Sequence, residues 1–81
     1  MTPDAELLLL SWSQLQNALL YADDAGYRAA MAELAARLER DCGIRDLQLL
    51  ARSLDAYTVS FTLAGEQRLH TFAADDVEDF A

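Results

Sequence analysis

Two side chains in this sequence, His70 and Cys42, belong to the residue types that most often act as a catalytic base or nucleophile. His70 is the only histidine, and no serine or carboxylate forms a recognised catalytic motif with it. Cys42 falls at the end of a predicted helix, where the negative end of the helix dipole disfavours a thiolate. We therefore expect a structural or surface role for His70, a buried apolar role for Cys42, and no enzymatic activity.

Metal and cofactor chemistry has little support in the sequence. One cysteine and one histidine cannot form a structural zinc site alone, and a single cysteine excludes an internal disulfide. The acidic run at residues 75–79 could be taken for a calcium loop. It lacks the alternating oxygen ligands and the central glycine of an EF-hand. We expect neither a metal nor another cofactor.

The acidic run has two remaining interpretations. It could be the solvated start of a helix, where acids are favoured by the helix dipole. It could also be a contact surface for a basic partner. In the second interpretation the partner-binding carboxylates are Asp75, Asp76, Glu78 and Asp79.

A second acidic patch and two apolar contacts complete the candidate surface. Asp23 and Asp24 lie in the turn between two predicted helices. Leu10 and Tyr21 lie on the side of the first helix that faces away from its main apolar stripe, so they are surplus to a one-sided core. Exposed apolar residues are common on monomers, but a face of this kind could also bind a partner or a second copy of the chain. Trp12 is a weaker candidate because it lies on the main stripe.

The charge balance bears on the class of partner. The chain has 14 acids and 6 bases, a net charge of −8, and residues 71–81 contain four acids and no base. The negative electrostatic field that this charge produces argues against direct binding of DNA, RNA or an anionic membrane, and it favours association with basic proteins.

Targeting signals are not expected either. The run Leu7–Leu10 is far shorter than the roughly 20 residues that a membrane-spanning helix needs. Asp4 and Glu6 stand where a signal peptide would have a basic segment. The sequence therefore predicts a cytoplasmic protein.

Two helices are predicted to form an antiparallel hairpin. The first would be capped by Thr2 and would end near Ala22, with Ser13, Gln16 and Asn17 away from its buried face. The second would be capped at Asp23-Asp24, would end at Gly43, and would contain a Glu33–Arg37 ion pair. The apolar stripes that predict them are Leu8, Trp12, Leu15 and Leu19, followed by Tyr27, Met31, Leu34, Leu38 and Cys42.

Strands are predicted after Gly43. Residues 57–63 alternate between apolar and hydroxyl side chains, and residues 68–72 return after a turn at Gly65. A loop of two or four residues would place His70 opposite Phe61, and a loop of three would turn it to the other face. Residues 47–54 fit either a helix or a strand. We favour a strand, because three strands form a more stable sheet than two.

The sequence thus predicts one small α+β domain over residues 1–81. Its N-terminal antiparallel helical hairpin would pack on a three-stranded antiparallel meander. A short C-terminal helix would follow within residues 73–81, with Asp75 as its cap and Val77 and Phe80 facing inward.

In size, acidity and lack of a catalytic motif, the whole chain with its 75–79 run resembles the small phage-encoded inhibitors of the anti-CRISPR type, some of which mimic nucleic acids. It is similar in the same respects to immunity proteins that block nuclease toxins. The resemblance implies a non-enzymatic inhibitor that docks on a basic, nucleic-acid-binding surface of another protein. The alternative is a structural or accessory module, as a homodimer or as a small subunit of a larger complex.

Overall fold

The computed structural model describes residues 2–78 and confirms the α+β architecture. Three strands form one antiparallel sheet in which they lie in chain order, and residues 47–54, which fit either a helix or a strand, lie mainly in the first of them. Asp79 and Phe80 lie outside the described residues. The elements in chain order are α1 (Pro3–Leu19), α2 (Ala25–Cys42), β1 (Ile44–Arg52), β2 (Ala56–Leu63), β3 (Glu66–Ala73) and α3 (Ala74–Glu78).

The helix boundaries follow from their caps. The Thr2 hydroxyl accepts a hydrogen bond from the Ala5 N–H at the start of α1, and Asp24 Oδ1 accepts from Gly26 and Tyr27 at the start of α2. Helix α2 ends at Cys42 and is capped by Gly43, whose φ of 70° is the left-handed conformation that glycine adopts without steric cost. Helix α1 ends at Leu19, slightly before the predicted end near Ala22.

Strand β2 is the centre of the sheet and shows the predicted alternation. Tyr57, Val59 and Phe61 are at most 1% exposed and face the helices. On the opposite face Thr58 and Thr62 remain partly exposed, whereas Ser60 is 3% exposed and departs from the alternation. The β2–β3 hairpin closes through the two-residue turn Ala64-Gly65, so that Leu63 pairs with Glu66.

Helix α1 is buried on more sides than the sequence suggested. Leu9 and Trp12 join a core with the inner residues of β2, while other faces of α1 pack on α2 and α3. Ser13 and Asn17 were predicted to lie away from the buried face, and this was wrong, because they are 0% and 7% exposed. The Ser13 hydroxyl is satisfied by donating to the Leu9 carbonyl at 2.8 Å.

Helix α2 is less buried than α1. Leu38 is its only fully buried residue, and Cys42 is half-buried beside the core. The predicted Glu33–Arg37 ion pair is not formed. Arg37 Nε lies instead 3.7 Å from Asp41 Oδ2, one turn further along the helix. None of the helices within residues 2–78 is long and apolar enough to cross a membrane.

Candidate protein-binding surface around α3

Helix α3 presents the acidic residues of the C-terminal run. Ala74 and Val77 are buried in the core, and this leaves Asp75 and Asp76 exposed on the outer side. The helix begins at Ala74, so Asp75 lies in its first turn instead of capping it as predicted. Two hydrogen bonds hold the segment down: Gln14 Nε2 donates to the Asp76 carbonyl, and the Ala74 N–H donates to the Asp55 carbonyl, both at 2.9 Å.

A buried tyrosine, Tyr57, forms a hydrogen bond with Glu78 at the C-terminal end of α3. The Tyr57 hydroxyl lies 2.9 Å from Asn17 Oδ1 and 2.8 Å from Glu78 Oε2, with both oxygens placed to accept its single proton. Tyr57 is 1% exposed and belongs to β2, Asn17 to α1 and Glu78 to α3. This cluster of three side chains, the Tyr57 clamp, therefore ties α3 to both layers of the fold.

The clamp also changes the acidity of Tyr57. Burial raises the pKa of the Tyr57 hydroxyl above its usual value of 10.0, since the phenolate would lose its hydration. The hydrogen bond to Glu78 and the negative charge of that carboxylate raise this pKa further. The clamp therefore favours a neutral hydroxyl, which keeps the one proton that it can donate to Asn17 or to Glu78.

An apolar groove with an acidic rim lies between α1, β3 and α3. Leu7 is 62% exposed, whereas Leu10 is half-buried against the core. Glu6 and Asp76 supply the acidic rim, so the structure brings the two predicted binding residues Leu10 and Asp76 to one place. This Leu10 groove has a volume of about 300 Å³ and is lined by Pro3, Glu6, Leu7, Leu10, Phe72 and Asp76.

A second pocket lies beside Glu78. Its two most exposed apolar side chains are Tyr21, at 76%, and Leu54, at 97%. This Tyr21 pocket has a volume of about 370 Å³ and is lined by Tyr21, Arg52, Ser53, Leu54, Tyr57 and Glu78. Helix α3 thus contributes Asp76 to one apolar depression and Glu78 to the other.

The apolar face that carries Leu10 and Tyr21 is largely used within the chain. Gln14 donates to α3, Asn17 belongs to the Tyr57 clamp, and Leu10 packs against the core. The premise that Leu10 is surplus to the core therefore does not hold. Tyr21 alone remains mostly exposed.

The second predicted acidic patch has local structural roles. Asp23 Oδ1 forms an ion pair with Arg28 Nη1 at 2.8 Å, and Asp24 caps α2. By contrast, the side chains of Asp75 and Asp76 have no ion pair or hydrogen bond within residues 2–78. Free negative charge is therefore concentrated at α3 more than at the turn between the helices.

His70 lies on the inner face of β3, and its register differs from the prediction. The two-residue turn pairs His70 with Val59, whereas Phe61 pairs with Arg68. His70 Nε2 lies 3.3 Å from Glu6 Oε1, and its ring centroid is 4.6 Å from that of Phe72. These contacts place His70 next to the Leu10 groove, beside the rim carboxylate of Glu6.

Some members of this surface were not found in the sequence. Leu54 follows a strand within the Ser53–Asp55 turn, and an apolar residue in a turn is a signal that could have singled it out. The clamp was also missed. A buried tyrosine requires a hydrogen-bond partner, but sequence does not say which residue supplies it.

Within residues 2–78, no three histidine, cysteine or carboxylate side chains come together in a way that could hold a metal ion. The arrangement around α3 instead presents unpaired carboxylates beside exposed apolar side chains. Comparison with protein-family models, with curated proteins and with solved structures gave no match for this chain.

Proposed function

We propose that this chain is a cytoplasmic, non-enzymatic binding protein of the inhibitor type. The α3 surface, formed by Asp75, Asp76 and Glu78 with the Leu10 groove and the Tyr21 pocket, docks on a basic surface of a nucleic-acid-binding protein. Its carboxylates take the place of nucleic-acid phosphates there, so that this chain and nucleic acid compete for the same surface of the partner. The observation that carries the proposal is the pair of unpaired carboxylates Asp75 and Asp76 on a helix that is fixed to the core.

Charge supports the basic character of the partner. The whole chain carries a net charge of −8, and the arginines in the described ion pairs are Arg28, Arg37, Arg40 and Arg68. None of these pairs involves α3. An opposite charge on the partner would speed association, and salt would weaken the complex.

The neighbouring apolar side chains are expected to supply most of the binding free energy. Exposed carboxylate–arginine pairs contribute little free energy each, whereas burial of apolar side chains at an interface contributes more. Leu7 in the Leu10 groove and Tyr21 in its pocket are placed to be buried by a partner. The partner surface is therefore expected to combine arginine or lysine with protruding apolar residues.

The test uses the tagged chain as bait in a lysate of the native host. We expect it to capture a nucleic-acid-binding protein that added nucleic acid displaces. The variant Asp75→Asn/Asp76→Asn should lose most of this capture. The matched control Glu33→Gln/Asp46→Asn removes two exposed acids elsewhere and should keep it. Equal capture by both variants, or a partner that nucleic acid does not displace, would contradict the proposal.

The apolar part of the surface has its own matched pair. Leu7 and Leu69 are 62% and 60% exposed, but Leu69 lies on β3, outside the residues that line the Leu10 groove. We expect Leu7→Ser to weaken partner binding about tenfold or more and Leu69→Ser to leave it unchanged. Equal effects of the two substitutions would remove the groove from the interface.

A further inference from the structure

The face of the helical hairpin that lies between α1 and α2 is a second surface, distinct from the one around α3. A groove of about 370 Å³ runs along it, with almost entirely apolar walls. Of the apolar stripe on α2, only Leu38 is fully buried, and Met31 and Leu34 remain half-buried. The residues that line this hairpin groove are Trp12, Leu19, Arg28, Met31, Ala32 and Ala35.

The α2 side of the groove has a self-complementary pattern. Arg28, Ala32, Ala35 and Glu39 follow one another at i, i+4, i+7 and i+11, which places them on one side of the helix. The row has a positive end, a negative end and two small residues between them. Its ends are about 16 Å apart along the helix axis.

We propose that a second copy of this chain occupies the groove, with the two α2 helices antiparallel across a two-fold axis. In such an interface, if residue i contacts residue j of the other copy, then j contacts i. Placing the axis midway between Ala32 and Ala35 brings these alanines of the two copies together. The same placement puts Arg28 of each copy opposite Glu39 of the other, because both pairs of residues have the same midpoint in the sequence.

The side chains at the centre permit this approach. Ala32 is exposed and Ala35 half-buried, and two helices that meet at alanines can come closer than helices that meet at long side chains. The dimer would then cover the exposed parts of Leu19 and Met31, which are half-buried, in both copies. Removal of this apolar surface from water is the driving force, and the two Arg28–Glu39 pairs set the antiparallel register.

Arg28 is already paired within its own chain, and this is compatible with the proposal. Its Nη1 atom lies 2.8 Å from Asp23 Oδ1, and its side chain is 59% exposed. A guanidinium has five N–H donors, so Arg28 can hold Asp23 and a carboxylate of the second copy together. Glu39 is exposed and has no ion pair or hydrogen bond from its side chain within residues 2–78.

The experiment measures mass in solution by sedimentation equilibrium over a range of protein concentrations. Wild-type protein should approach twice its chain mass of 9.0 kDa at high concentration. Glu39→Arg places like charges opposite each other twice in the dimer, so we expect dimerisation to weaken about tenfold or more. Combining it with Arg28→Glu restores the opposite charges and should restore the dimer.

Two controls separate this interface from general effects of charge. Glu33→Arg makes the same charge change on the far side of α2 and should leave the dimer intact. Asp23→Asn removes the internal partner of Arg28 and should also leave it intact. Glu39→Arg keeps the Asp23–Arg28 pair, so it carries the test even if Arg28→Glu does not fold. A wild-type monomer at every concentration, or equal effects of Glu39→Arg and Glu33→Arg, would overturn the proposal.

Discussion

Replacement of Tyr57 by phenylalanine tests the clamp that fixes α3. The substitution keeps the ring, which is 1% exposed, and removes the hydroxyl that lies 2.9 Å from Asn17 Oδ1 and 2.8 Å from Glu78 Oε2. Glu78 is exposed, so water can replace its lost partner. Asn17 is 7% exposed, and its carbonyl would remain buried without a donor.

The expected loss follows from this difference between the two acceptors. A buried polar group left without a hydrogen bond costs about 1–3 kcal/mol, so the free energy of unfolding should fall by about 2 kcal/mol. For a domain of this size each kcal/mol corresponds to about 4–8 °C, which predicts a Tm lower by about 8–16 °C. Thermal and urea unfolding, followed by circular dichroism and by the fluorescence of the single tryptophan, Trp12, measure both quantities.

The matched control is Tyr21→Phe, which removes the same atom from a side chain that is 76% exposed. It should change the free energy of unfolding by less than about 0.5 kcal/mol. Hydrogen exchange should also show faster exchange of the α3 amides in Tyr57→Phe than in the control. If the two variants had the same stability and the same α3 exchange, the clamp would have no structural role.

Three further predictions concern stability. The raised pKa of Tyr57 means that the folded state holds the phenolic proton more tightly than the unfolded state. Tyr57 therefore contributes its full stabilisation below pH 10.0 and loses it as the pH rises above that value. Urea titrations at alkaline pH should show a steeper fall in the free energy of unfolding for wild type than for Tyr57→Phe. Ala64 has a φ of 54° beside Gly65, and Ala64→Asn should raise the free energy of unfolding by about 1 kcal/mol, since asparagine tolerates this conformation better. Leu38→Ala should cost about 3 kcal/mol at a fully buried position, whereas Leu54→Ala, at a 97% exposed one, should cost less than about 0.5 kcal/mol in the same urea titrations.

The architecture could be predicted because its signals are local. Caps at Thr2 and Asp24, the left-handed Gly43 and the alternation of residues 57–63 each act within a few residues of the chain. The uncertain segment 47–54 was assigned correctly in the main because a third strand completes a stable sheet. Its two irregularities, on either side of Gln48 and Leu49, had no signal that we recognised.

The predictions that failed depend on contacts between distant residues. Periodicity gives α1 one apolar stripe, but α2, α3 and the sheet cover it from several sides, and Ser13 and Asn17 become buried for that reason. The partner of His70 depends on which residues form the hairpin turn, and with the turn at Ala64-Gly65 His70 pairs with Val59 instead of the predicted Phe61. Local spacing likewise suggested Glu33 as the partner of Arg37, although Asp41 is equally close in helical position.

The candidate surface combines a feature with a local sequence signal and features that depend on contacts between distant residues. Sequence identified the acids of α3 by their density, and the structure adds the apolar depressions on both sides of them. It also separates Asp75 and Asp76, which have no partner in the described part of the chain, from Glu78, which accepts from Tyr57. Charge density in the sequence cannot distinguish these carboxylates, because the distinction depends on which of their side chains reaches Tyr57 of β2.

The salt dependence of binding to the captured partner tests the proposed function most directly. The dissociation constant would be measured across a series of salt concentrations for wild type, for Asp75→Asn/Asp76→Asn and for Glu33→Gln/Asp46→Asn. We predict that the α3 variant binds more weakly and with a shallower salt dependence than wild type, while the control variant matches wild type. Identical affinity and identical salt dependence in all three proteins would contradict a docking surface at α3.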